Sequence, residues 1–169
     1  MDRKLPGIIL FVAFVSVSLP LASQTTWCWK AANLGIDIPF HADSIMVEED
    51  STEFWLDADV LEMELLLIPK DSLDVNTADI YQSMLDAIVK EYELVVLSNA
   101  KKMKGIPEGT YLTALDTLVF TDTVVVMAFP GPSGLVFAGV IDCYEVPLHI
   151  GVTLANSFRF NAPACKQEE

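Results

Sequence analysis

Basic residues are scarce in this sequence. It contains 10 Lys and Arg against 24 Asp and Glu, which gives a formal net charge of −14 at pH 7. Nucleic acids and anionic membrane surfaces attract basic patches, so this charge argues against both as partners. The one lysine cluster, Lys101-Lys102-Met103-Lys104, is typical of a solvated strand end or turn. The acidic balance favours a cationic partner.

Histidines and sequence motifs of known chemistry are also scarce. The only histidines are His41 and His149. No Gly-rich phosphate loop, Cys-x-x-Cys, His-Glu-x-x-His or Gly-x-Ser-x-Gly motif occurs. The acidic runs at 48–50 and 57–59 lack the spacing of a known Ca²⁺ loop, and a lone His41 is a weak metal ligand. We therefore expect a non-catalytic protein without a metal or cofactor.

Three cysteines permit at most one internal disulfide. Cys28 precedes the first predicted strand and Cys165 follows the last predicted helix, so a bridge between them would join the two terminal segments. A bridge from Cys28 to Cys143 is the alternative, and the sequence does not choose between them. Disulfides fit an oxidising compartment. A catalytic thiol would need a nearby base, for which only two histidines are present.

The first 24 residues have the three-part layout of a secretory signal peptide. Arg3 and Lys4 precede an apolar run from Ile8 to Val17, and small residues follow it. The run is too short to cross ~30 Å of hydrocarbon comfortably. We expect cleavage near Ser23 or Gln24, no stable membrane anchor afterwards, and a periplasmic or secreted product.

Hydrophobic periodicity predicts strands, then a helix, then further strands and a last helix. Residues 60–68 alternate between apolar and acidic side chains, as a half-buried strand does. Residues 76–92 change to apolar positions three and four residues apart, which predicts an amphipathic helix. The other predicted strands cover 36–40, 44–49, 52–58, 94–100, 110–117, 124–129 and 135–142.

The stretch "GVTLANSFRF" near the C-terminus is predicted to be the end of a packed helix rather than a functional motif. Ile150, Leu154 and Phe158 recur every fourth residue, which gives one buried stripe. Pro147 suits the first helical position. Asn156 is then expected beside the stripe, where its replacement by Ala should change stability by less than ~1 kcal/mol.

This order of elements predicts an α+β fold, an antiparallel β-sheet meander with helices packed on its faces, or α-β-α sandwich. Together with "GIDIPF", "KGIPEGTYL" and "ANSFRF", the order resembles the PsbP-like superfamily over about residues 34–160. That group includes the photosystem subunit PsbP, the Ran-binding protein Mog and exported bacterial proteins of unknown role. The chain lacks the Gly-Trp pair often found in the family's opening hairpin, so only the fold is carried over. The resemblance implies a non-catalytic scaffold that binds other proteins.

The predicted organisation is a signal peptide (1–24), an N-terminal extension (25–33), one α+β domain (34–160) and a C-terminal tail (161–169). The two terminal extensions are expected to be ordered only if a disulfide holds them. Two functions are then open: an exported interaction module with an unknown protein partner, or a carrier of a small apolar ligand in the sheet-helix core. A closed core favours the module, and an enclosed apolar cavity of several hundred Å³ favours the carrier.

Asp followed by Ser or Thr, and then by an aliphatic residue or Thr, recurs along the chain. Turn chemistry is one explanation, because Asp and Ser bond their own backbone in loops. The triplets also resemble the O-glycosylation signal of exported Bacteroidetes proteins, which would place bulky glycans on exposed positions. The candidate hydroxyls are those of Ser44, Ser51, Ser72, Thr117 and Thr123.

Overall fold

The structure is a computed structural model of the 169-residue chain, and it describes residues 25–39, 46–58, 60–70, 79–117, 122–162 and 165. The predicted signal peptide, His41, Ser44 and Ser72 lie outside these residues. No helix in the described part of the chain has the length and apolar character needed to span a membrane.

Strands dominate the structure. The strands are β1 (Thr25–Trp29), β2 (Leu34–Ile38), β3 (Met46–Glu49), β4 (Glu53–Asp57), β5 (Glu62–Pro69), β6 (Val95–Val96), β7 (Lys101–Lys102), β8 (Thr110–Asp116), β9 (Asp122–Pro130), β10 (Leu135–Cys143) and β11 (Arg159–Phe160). The helices are α1 (Ile80–Glu91) and α2 (Leu148–Ala155).

Eight strands form one large sheet, in the order β3-β4-β5-β10-β9-β8-β6, with β7 also paired to β8. Every pairing in it is antiparallel. A second, three-stranded antiparallel sheet has the order β1-β2-β11. The long strands β5, β9 and β10 lie in the middle of this sheet and contribute buried residues to the core.

The large sheet has a separate apolar core on each face. On one face, α1 packs its Met84 and Leu85 against alternate residues of β8, β9 and β10. On the other face, α2 and the small sheet cover the opposite residues of β4, β5, β9 and β10. The predicted α+β sandwich is therefore confirmed.

The alternation predicted for residues 60–68 is present in β5. Met63, Leu65 and Leu67 are buried in the core shared with α2, whereas Glu62 and Glu64 are exposed on the α1 face. The period of two thus assigns each side chain of this strand to its face.

The single strand predicted over 94–100 is wrong, since β6 and β7 are two short strands. The N–H groups of Leu97 and Ser98 both donate to the Thr113 carbonyl, at 2.8 and 3.2 Å. The hydroxyl of Ser98 in turn accepts a bond from the Thr113 N–H, at 3.2 Å. A serine side chain therefore takes the place of a backbone ladder bond and interrupts the strand.

The last helix is shorter than predicted. It ends at Ala155, and Asn156 and Ser157 form a turn. The Asn156 Nδ2 donates to the Val152 carbonyl at 2.7 Å, and the Ser157 Oγ donates to the Leu154 carbonyl at 2.7 Å. These short polar side chains satisfy the last carbonyls of the helix and so end it.

The segment after α2 connects three parts of the fold. Phe158 is fully buried, as predicted, with its ring 5.6 Å from that of Phe129. Asn156 Oδ1 accepts from the backbone N–H of Lys104 at 2.7 Å, so it anchors the loop that follows β7. Arg159 forms a bidentate ion pair with Asp37 of β2. Asn156 is thus a capping and loop-anchoring residue rather than a neutral surface position.

The N-terminal segment belongs to the domain. β1 pairs along its whole length with β2, and Trp29 is fully buried between Phe54 and Phe137. The structure joins Cys28 to Cys165, the first of the two pairings considered above. The domain therefore includes β1 and does not begin at residue 34.

Candidate functional site

The α1 face of the large sheet is only partly covered. Helix α1 packs on this face against β8, β9 and β10 and reaches Ile68 of β5. Over β3 and β4, the structure places no helix within the described residues. The half-buried Trp55 of β4 lies there, opposite Glu64 of β5. The sheet therefore presents an open strip beside α1.

Strand register brings five carboxylates together at one end of this sheet face. Asp142 of β10 pairs directly with Glu62 of β5, and Glu62 pairs with Asp57 of β4. Asp116 and Asp122 face each other across β8 and β9 at the same end of the sheet. This end of the sheet face therefore has a high density of negative charge. Like charges directly opposite each other are unfavourable in a sheet.

The sheet face forms the floor of a groove, and α1 borders this groove on one side. We call this groove the acidic groove. At one end, Trp55, Glu62, Tyr92 and Asp142 line a cavity of about 160 Å³. At the other end, an apolar cleft of about 80 Å³ is lined by residues that include Leu66, Ile68, Met84 and Ile88. The two ends meet at Glu64, Tyr92 and Val140.

Asp142 is the most perturbed carboxyl group in the groove. Burial, and to a smaller extent the charges of Asp122, Asp116 and Glu62, together raise its pKa to about 6. Its Oδ1 is buried and has no hydrogen-bond partner within the described residues. The folded chain therefore holds a carboxylate at neutral pH in a place that disfavours its charge.

Tyr92 and Trp55 supply the aromatic surface of the groove. Tyr92 ends α1 and is 44% exposed. Burial of part of its ring raises the pKa of Tyr92, and the charges of Glu64 and Glu91 contribute in the same direction. An exposed aromatic side chain next to carboxylates suits a ligand that is both cationic and apolar.

The described residues of the acidic runs, together with His149, form no metal site. No cluster of three or more His, Cys, Asp or Glu suited to a metal exists among the described residues. In the acidic run 48–50, Asp50 Oδ1 accepts from the N–H groups of Thr52 and Glu53, at 2.6 and 2.8 Å. These bonds lower the pKa of Asp50 and fix the turn that it begins between β3 and β4. His149 lies in the first turn of α2.

The free cysteine is a core residue. Cys143 ends β10 and is 4% exposed. Burial raises the pKa of its thiol to about 11, so the thiol is protonated at neutral pH. A protonated, buried thiol is a poor nucleophile. Gly151 of α2 lies so close that a Cβ there would come within 2.4 Å of the Cys143 Sγ.

The structure separates the candidate glycosylation positions it describes. Ser51 is exposed in the β3–β4 turn, and Thr117 is exposed directly after β8. Thr123 is half-buried inside β9, paired with Leu115 and Cys143. Only the first two positions leave room for a glycan on a loop.

The groove residues were only partly visible in the sequence. The exposed positions of Glu62 and Glu64 follow from the alternation of β5. Asp142 could also be singled out in the sequence, because it is the only carboxyl side chain in the apolar run of β10. Trp55 and Tyr92 lie beside these carboxylates because of the strand register and the position of α1 on the sheet. The sequence carries no signal for either.

This arrangement of helices on both faces of an antiparallel sheet is the PsbP-like fold, as the resemblance in the sequence predicted. The crystal structure of the Saccharomyces cerevisiae Ran-binding protein Mog1p has a TM-score of 0.57 at 7% identity, over 85% of this chain and 98% of that one. A mutant of Mog1 gives a TM-score of 0.54 at 8% identity, over 83% of this chain and 97% of that one. At such identities the likeness shows the fold alone. No family model and no curated protein matches the sequence.

Proposed function

We propose that this chain is an exported, non-catalytic interaction module that binds a basic region of a partner protein through the acidic groove. The observation that carries the proposal is Asp142. Its charged form is disfavoured in the folded chain, and its buried Oδ1 has no hydrogen-bond partner among the described residues. A lysine or arginine from a partner, held beside this half-buried side chain, would supply the missing counter-charge.

The fold supports this proposal without fixing it. Mog1p, which shares the fold at low identity, is named as a Ran-binding protein. The same architecture therefore serves protein binding in at least one other chain. A shared fold does not determine function. The proposal therefore rests on the groove, which is acidic, carries exposed aromatic surface and is open to a partner.

The groove favours a protein partner over the small apolar ligand of the alternative hypothesis. Its apolar cleft has a volume of about 80 Å³. Pockets that enclose a drug-sized ligand measure about 300–1,000 Å³. The cleft suits single side chains of a larger partner.

Position-specific photo-crosslinking in the native host tests the proposed function. A photoreactive amino acid replaces Trp55 in the groove or, as the matched control, Asp86 on the exposed side of α1. We expect a crosslinked partner from position 55 and none from position 86. The double variant Glu62→Gln/Asp142→Asn should remove the crosslink, and raised salt should weaken it because exposed charge pairs are screened. A crosslink that is equal at both positions, or that survives the double variant, overturns the proposal.

Export has its own test. The mature protein from the native host should begin near Gln24 or Thr25 when its N-terminus is read by mass spectrometry. A chain that keeps Met1 and stays in the membrane fraction contradicts export and leaves the groove proposal to its separate test.

A further inference from the structure

The form of the partner can be inferred from the shape of the groove, on the basis of the proposed function. We infer that the acidic groove receives one amphipathic helix of the partner protein. This helix lies beside α1 over β4 and β5. Its cationic residues lie at the Asp142 end and its apolar residues at the Ile68 end.

The width of the open strip fits one helix. Strands β3, β4 and β5 form the side of the large sheet away from β8 and β9, and α1 reaches only the edge of this side, at Leu66 and Ile68 of β5. Three strands at ~4.8 Å spacing span about 14 Å. A helix with its side chains is about 10–12 Å across. A layer of helices is the usual cover for a sheet face in this architecture, and α1 supplies only half of that layer within the described residues.

Strand addition does not fit the same place. β5 is paired with β4 on one side and with β10 on the other. Its backbone N–H and C=O groups are therefore engaged in ladders. An extended peptide on this floor would leave its own backbone groups without partners, which is costly where water is excluded. A helix satisfies its own backbone and needs only side-chain contacts.

The length of the groove sets the length of the helix. The floor runs along β5 from Glu62 to Ile68, six residues further on. At ~3.3 Å per residue this distance is about 20 Å. A helix rises 1.5 Å per residue, so about 13 residues cover the groove.

The polarity of the groove sets the order of side chains on the helix. Glu62 and Asp142 line one end, and Ile68, Met84 and Ile88 line the other. A lysine or arginine at the first end can lay its aliphatic stem on Trp55 while its charge meets the carboxylates. A uniformly basic helix would leave the apolar end unfilled. The partner segment is therefore basic at one end and apolar at the other.

Synthetic helices test this inference. The probe is a stapled helical peptide of about 14 residues, with lysines on one face at one end and leucines on the same face at the other. Its control has the same composition and staple but with lysines and leucines spread evenly. Calorimetry should show binding of the probe about tenfold tighter than binding of the control, the margin that one well-placed charge contact gives. Equal affinity for both peptides overturns the inference.

Variants and a spin label locate the bound peptide. Asp142→Asn and Leu66→Ser should each weaken binding of the probe about tenfold, whereas Asp86→Asn should leave it unchanged. A nitroxide at the lysine end should broaden NMR signals near Asp142, and a nitroxide at the leucine end should broaden those near Ile68. Broadening in the reverse order, or on the α2 face, contradicts the inference.

The two proposals can fail separately. If the probe does not bind while the cellular crosslink at position 55 remains charge-dependent, the helix inference is wrong and the proposed function stands. If the crosslink fails as well, the acidic groove is not the binding site and both proposals are wrong.

Discussion

Replacing Asp142 with Asn should stabilise the folded protein at neutral pH. The pKa of this carboxyl rises from an ordinary 3.8 to about 6 on folding, first because of burial and then because of Asp122, Asp116 and Glu62. Such a rise corresponds to about 3 kcal/mol against the charged form, at ~1.4 kcal/mol for each tenfold change in proton affinity. The side chain is only half-buried, so solvent screening reduces the expected effect to about 1–2 kcal/mol.

The pH dependence follows from the direction of the shift. Below the unfolded pKa of 3.8 the carboxyl is protonated in both states, and the penalty is absent. As pH rises from there to the folded pKa of about 6, the unfolded chain releases its proton first, so the penalty grows. Above that value the penalty is fully present. The asparagine variant lacks this dependence because it does not titrate.

Urea unfolding at about pH 7.5 and about pH 4 measures both effects. We expect Asp142→Asn to raise the unfolding free energy at the higher pH and to differ little from the original chain at the lower pH. Asp86→Asn, an exposed control on α1, should change neither value by more than about 0.5 kcal/mol. An Asp142→Asn chain that is less stable at about pH 7.5 would refute the electrostatic reasoning, because the buried Oδ1 would then have a favourable partner.

Two substitutions and one mass measurement test further features of the structure. Cys165→Ser should lower the unfolding free energy by about 4 kcal/mol, because the bridge it removes closes a long loop; urea melts with and without reductant measure this, and equal melts for the original chain in both conditions would contradict it. Gly105→Ala should destabilise by about 1–3 kcal/mol, since its Cβ would lie 2.1 Å from the Phe158 carbonyl oxygen; an unchanged melt would show that this loop moves freely. Intact mass of protein from the native host should exceed the polypeptide mass, with the excess on the exposed Ser51 or Thr117 or on Ser44 or Ser72, which lie outside the described residues; a mass equal to that of the cleaved chain would leave the Asp-Ser/Thr triplets as turns.

Much of the fold could be predicted because its signals are local and periodic. The alternation of β5 and the helical spacing of α1 each place apolar side chains on one face, and the structure buries those faces. The end of α2 could not be predicted in this way. Leu154 and Phe158 keep a helical spacing and are both buried. The helix nevertheless stops between them, because Asn156 and Ser157 bond its last carbonyls.

The candidate site could be predicted only as separate residues. Glu62 is visibly on the solvent face of its strand, and Asp142 visibly interrupts an apolar run. Their pairing depends on β10 returning to lie beside β5, which joins segments far apart in the sequence. Single-sequence patterns carry no information on such long-range register. Trp55 and Tyr92 join the site by the same long-range packing, so neither could be assigned to it beforehand.

The Cys28–Cys165 bridge also determines how the domain can be tethered. It fastens the C-terminal segment to β1, which belongs to the small sheet on the α2 face. Residues 25 and 165, the first and last that the structure describes, therefore both lie on the small-sheet side. The acidic groove lies on the opposite side of the large sheet, beside α1. A domain attached to a surface through either end would hold the groove outward, so a partner could approach it without passing the attachment point.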